Sequence, residues 1–172
     1  MLERYCKKYT VEKNVTGSFA SSVNDDSVEY DSSTGELTVK TQYGGLVFSS
    51  DNLTDGKRYK LKYRVSEKTG SPIKLYKIGG HSTQENYCDQ EWYINGFKQS
   101  NLYNGSGAVS SSGEYVVELF FTYKNAGSGN KNLYIQPNRG DEFSESNYVS
   151  VYVNDISLVE CEPYYGYTDN EY

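Results

Sequence analysis

Covalent or metal chemistry in this 172-residue chain would have to use one histidine, three cysteines and 23 acidic residues. The histidine, His81, sits in Gly79-Gly80-His81-Ser82-Thr83, a polar loop. A Ser-His-Asp or Cys-His arrangement would need it as base. No G-x-S-x-G surrounds a serine, and Cys88 has no recognisable motif around it, so His81 reads as a loop histidine. Cys6, Cys88 and Cys161 show no C-x-x-C spacing, which argues against a structural zinc site. The odd count fits three small buried hydrophobes. A Cys6–Cys161 bridge between opposite chain ends stays open as the alternative. Asn24-Asp25-Asp26 and Asp141-Glu142 could lend oxygen ligands to calcium, but neither has the loop spacing that specifies it. Solvated loop acids are the plain reading. Nucleotide-binding and metalloprotease signatures are absent from the sequence. The expectation is no catalytic residue, and no cofactor beyond a structural calcium.

Aromatic residues carry more information. There are 19 tyrosines, 6 phenylalanines and a single tryptophan. Rings exposed on a sheet face or loop rim can stack on a sugar ring. Tyr43, Tyr87, Trp92, Tyr93, Tyr103 and Tyr134 lie in or near turns and strand ends, and Trp92, Tyr93, Tyr87 and Tyr103 are the candidate carbohydrate-binding residues. Trp92 and Tyr93 are adjacent, so on a strand they face opposite sides. A second aromatic group lies in 162–172, where Tyr164, Tyr165, Tyr167 and Tyr172 occur without an aliphatic residue. Tyrosine offers large contact area at low entropic cost, so this strip is a candidate partner-binding element. Lys57, Arg58, Lys60, Lys62 and Arg64 form a basic stripe that reads as the solvent face of one strand.

These residues need elements to hold them. A chain of this length forms one domain with its own core. A net charge of -6 and a pI near 4.9 argue against general nucleic-acid binding. Mean hydropathy is -0.75 and no long apolar run occurs, so no membrane insertion is expected. Residues 1–10 are polar and charged, without the pattern of a secretory signal. Lys57 to Val65 alternates cleanly, with Tyr59, Leu61, Tyr63 and Val65 on one face. Glu114 to Tyr123 is a long strand, and Gly35–Thr41, Leu46–Phe48, Ile73–Ile78, Glu91–Ile94 and Tyr148–Val159 are others. The glycine-rich turn 126–130 leading into Asn132–Gln136 predicts a hairpin. No convincing amphipathic helix appears. The prediction is an all-β chain, an antiparallel β-sandwich of jelly-roll type with short non-regular terminal extensions. Its parts are 1–17 as an N-terminal extension or first strand, 18–160 as the sandwich, and 161–172 as the tyrosine-rich extension.

Three segments resemble jelly-roll carbohydrate-binding modules. Asn52 to Val65 is similar to their "L-T-x-G-x-x-Y-x-L-x-F/Y-x-V" strand, Gly113 to Gln136 to their "G-x-Y-x-V-x-L-x-F-T" strand and hairpin, and Tyr148 to Val159 to their closing strand. Such modules also resemble domains of bacteriophage virions, in tail fibres and head-decorating proteins. The resemblance implies a non-enzymatic accessory protein of a virion, assembled in the host cytoplasm. It would be anchored through its termini to other virion proteins or to copies of itself, with loops facing solvent or host glycans. A carbohydrate-binding module of a secreted glycan-degrading system is the alternative. A small jelly-roll glycosidase, working through paired carboxylates, is the third reading.

Overall fold

The computed structural model describes residues 6–21, 28–40, 44–68, 86–99, 113–126, 131–136 and 149–167, and of 6–11, 149 and 162–167 the backbone alone. Within them the strands are β1 (Cys6–Asn14), β2 (Ala20–Ser21), β3 (Val28–Asp31), β4 (Glu36–Val39), β5 (Leu46–Phe48), β6 (Arg58–Glu67), β7 (Tyr87–Ile94), β8 (Phe97–Gln99), β9 (Glu114–Tyr123), β10 (Leu133–Ile135) and β11 (Val149–Tyr167). A 3₁₀ turn, Ser50–Asn52, follows β5. The described pairings are antiparallel. The larger sheet runs β3-β4-β11-β6-β9-β7-β8, with β1 also on β11, and the smaller runs β10-β5-β2.

Alternation builds the core. Tyr59, Leu61, Tyr63 and Val65 of β6 are buried, as are Val117, Leu119, Phe121 and Tyr123 of β9. They form one cluster with Leu37, Val39, Val151 and Val153 of the large sheet and Leu46, Phe48, Leu133 and Ile135 of the small one. The two sheets therefore share a single core, and the architecture is all-β and β-sandwich-like. Its centre is aromatic. The Tyr59 and Phe121 rings stack at 5.6 Å, and Tyr87 meets Phe121 edge-on at 5.2 Å. Each buried phenol needs a polar partner. The Tyr59 hydroxyl accepts from the Thr54 amide at 2.7 Å, and the Tyr87 hydroxyl donates to the Lys131 carbonyl.

Two expectations are corrected. β10 does not pair with β9 as a hairpin; it pairs with β5, so the glycine-rich connection carries the chain from one sheet to the other. The terminal segments are regular and not irregular extensions, the N-terminal one taking its first-strand alternative. Residues 6–14 form β1, and β11 continues through 161–167. Each supplies the backbone partners that the other needs. The expected strand over 73–78 lies outside the described residues.

Candidate functional site

One strand organises both features that could meet a partner. β11 has β6 along one edge, from Val151 opposite Glu67 to Glu160 opposite Tyr59. Its other edge is shared. Val149 to Tyr152 pair with β4, and Val159 to Tyr167 pair with β1. Between them the register shifts at Asn154–Ser157, with Asp155 at φ 53. This is a β-bulge, which bends the strand and breaks its pairing locally.

The first feature opens at that break. A cleft of about 570 Å³ is lined by Asn14, Val15 and Phe19, by Tyr30 and Ser32, and by Phe48 and residues 156–158. Phe19 and Phe48 lie 5.2 Å apart, and the Tyr30 hydroxyl donates to the Val153 carbonyl at 3.2 Å. Burial raises the Tyr30 pKa, and the neighbouring Asp31 carboxylate adds to the rise. No charged side chain lines the cleft among the described residues. Gly35 sits in the turn between β3 and β4. It has φ 78, its carbonyl accepts from the Val153 amide at 2.7 Å, and a Cβ there would collide with Asn154 Oδ1.

The second feature is the pairing of the two ends. From Cys161 onward β11 has run past β6, and among the described residues it pairs with β1 alone. Residues 6–12 and 161–167 thus make a two-stranded ribbon about 24 Å long at strand rise. Tyr164, Tyr165 and Tyr167, expected as docking residues, lie on this ribbon, with Tyr9 opposite Tyr164 and Lys8 opposite Tyr165. Tyr172 lies outside the described residues.

The sugar-stacking candidates are scattered. Trp92 is 7 % exposed and Tyr87 2 %, and both belong to the core cluster. A ring held there has no face to offer a sugar. Tyr93, on the opposite face of β7, is half-buried and packs edge-on against Phe120 at 5.9 Å. Tyr134 is half-buried on β10. Tyr43, Tyr103, His81 and the acidic pairs at 25–26 and 141–142 lie outside the described residues. Phe19, Tyr30 and Ile156, which line the cleft, were not singled out from the sequence; strand alternation assigns such rings to packing.

The basic stripe meets acids from neighbouring strands. Lys57 pairs with Glu160 at 3.0 Å, Arg58 with Glu91 at 2.7 Å, Lys60 with Glu12, Lys62 with Glu118 at 3.7 Å, and Arg64 with Asp155 at 2.9 Å. Glu91 also accepts from Lys98 at 2.8 Å, and this bond holds its carboxyl below the usual range. Each partly exposed pair contributes little to stability. Together they leave no unbalanced basic strip on β6 for a polyanion. The cysteines are not bridged to each other. Cys161 is a buried thiol pushed up by desolvation, and neither it nor Cys88 is in a disulfide. Cys6 stands opposite Tyr167 and Cys161 opposite Glu12, some six residues or about 20 Å apart along the ribbon, too far for a disulfide. Among the described residues no group of three or more His, Cys, Asp or Glu converges on a metal position.

No family model, curated protein or solved structure matches the chain.

Proposed function

We propose that this is a non-enzymatic structural protein of a bacteriophage particle, held to neighbouring subunits through the β1–β11 ribbon. The observation that carries this reading is the ribbon itself. Past the end of β6 its two strands pair, among the described residues, only with each other, with buried Cys161 at its base. An isolated two-stranded ribbon is marginal in water and gains stability from a further strand or surface. A terminal element whose outer strand edges are unpaired among the described residues is suited to docking. The jelly-roll resemblance supplies the setting, a scaffold that presents loops while its ends attach. The test is a chain lacking 1–12 and 161–172. Particles assembled with it should contain none of the protein, while its circular dichroism stays that of a folded β chain. Incorporation at the full-length level would sink the reading.

A second reading, a binding module for neutral sugars, is favoured by the cleft at the β11 bulge. Phe19, Tyr30 and Phe48 offer rings, Asn14, Ser18, Ser32 and Ser157 offer neutral hydrogen-bonding groups, and no charge is present among the lining residues. Size and mixed polarity fit a small-ligand site. Titration with neutral oligosaccharides, repeated on Phe19→Ala, checks it. Binding that survives the substitution would move the sugar elsewhere.

A further inference from the structure

The ribbon has two outer edges, and they differ. The Val15 amide donates to the Leu158 carbonyl at 3.0 Å, so Val15 and Leu158 are a hydrogen-bonded pair. Pairing alternates along an antiparallel ladder. In the continuous register, Lys13–Glu160, Val11–Glu162 and Tyr9–Tyr164 are then the bonded pairs, and Glu12–Cys161, Thr10–Pro163 and Lys8–Tyr165 the non-bonded ones. Residues of non-bonded pairs turn their amides and carbonyls away from the partner strand. On β11 this sends Pro163 to the outer edge, where it has no N–H to give. On β1 it sends Lys8, Thr10 and Glu12 outward, each with a donor and an acceptor. The β11 edge is blunted by a proline in mid-run, and the β1 edge keeps its donors and carries no further strand among the described residues.

Charge says what can add there. β1 carries Lys7, Lys8 and Lys13 against Glu12, a surplus of two positive charges in a chain of net charge -6. Edge lysines discourage pairing with a like strand. A second copy would bring the same surplus, and an acidic strand the opposite one. We propose that the outer edge of β1 accepts an extended acidic strand of a partner protein by β-augmentation, and that the edge of β11 does not. This rests on the anchoring reading above and names its partner.

The probes are two labelled peptides, one of alternating Glu and Val, the other of alternating Lys and Val, titrated into the full chain by fluorescence anisotropy. The Glu-Val peptide should bind about tenfold or more tightly than the Lys-Val peptide, and added salt should weaken it. Thr10→Pro deletes one outward amide of β1 without touching a ribbon bond, and should cost about tenfold. Tyr165→Pro does the same on β11, and should leave binding unchanged. Equal binding of both peptides, binding of neither, indifference to Thr10→Pro or loss with Tyr165→Pro each overturns the proposal. So does self-association of the chain that Thr10→Pro abolishes, since a second copy then fills the edge. If the peptides fail while the chain without 1–12 and 161–172 still drops out of particles, anchoring stands and strand addition falls. If that chain is also retained, both fall.

Discussion

Tyr63 and Tyr87 are 3 % and 2 % exposed, and burial pushes both phenols above their ordinary range. In the unfolded chain they ionise near pH 10. The folded state keeps them protonated to higher pH, so above about pH 10 it binds more protons than the unfolded state. Their contribution is complete below that pH and is lost as pH rises toward the folded values. The unfolding midpoint should fall steeply above about pH 10, with late phenolate absorbance appearing together with unfolding. Full tyrosine ionisation near pH 10 with the fold intact would contradict this. Gly35 is the second sensitive residue. Gly35→Ala forces a side chain into left-handed backbone, about 1–2 kcal/mol by itself, and drives its Cβ into Asn154. A denaturant titration should show at least that loss, and a variant as stable as the parent would show that the β3–β4 turn can shift.

The strands carry the next level of the account. Phe121 lies under both Tyr59 and Tyr87, so Phe121→Ala should destabilise by about 3–5 kcal/mol. A loss under about 1 kcal/mol in a chemical unfolding curve would mean that these rings collapse into the gap. β6 and β9 were legible because a strand with one face in a core and one in water writes period two into its sequence, and Tyr59-Leu61-Tyr63-Val65 does so plainly. β8 was missed although Asn95-Gly96 marks its turn. Both residues have positive φ, at 49 and 80, the mirror-image turn that suits a two-residue hairpin. The β10 pairing was not legible, because a glycine-rich connection shows that the chain turns and not which sheet it enters. The continuation of β11 through 162–167 escaped, and 1–17 read only as an extension or first strand, for a related reason. Cys6 to Asn14 and Glu162 to Tyr167 have no apolar face to alternate, and they become strands because each satisfies the other's backbone. The cleft escaped as well, because it exists where β11 changes neighbours, a property of topology.

The molecule as a whole divides into a core and an appendage. The core cluster draws on both sheets, and the ribbon runs on past the end of β6 with buried Cys161 at its base. Removal of 1–12 and 161–172 should therefore leave the thermal unfolding transition cooperative, with its midpoint shifted by a few degrees at most. Loss of cooperative unfolding would make the ribbon part of the fold and not a tether. The acidic body and the lysine-bearing β1 also separate by sign, which favours docking of this edge onto acidic chain while bodies repel one another. The most direct measurement is amide hydrogen exchange, compared between the free chain and the chain in assembled particles. The account predicts that the outward amides of Lys8, Thr10 and Glu12 exchange freely in solution and become protected on assembly, while Tyr165 and Tyr167 change little. Unchanged exchange along β1, with protection gained elsewhere, would contradict it.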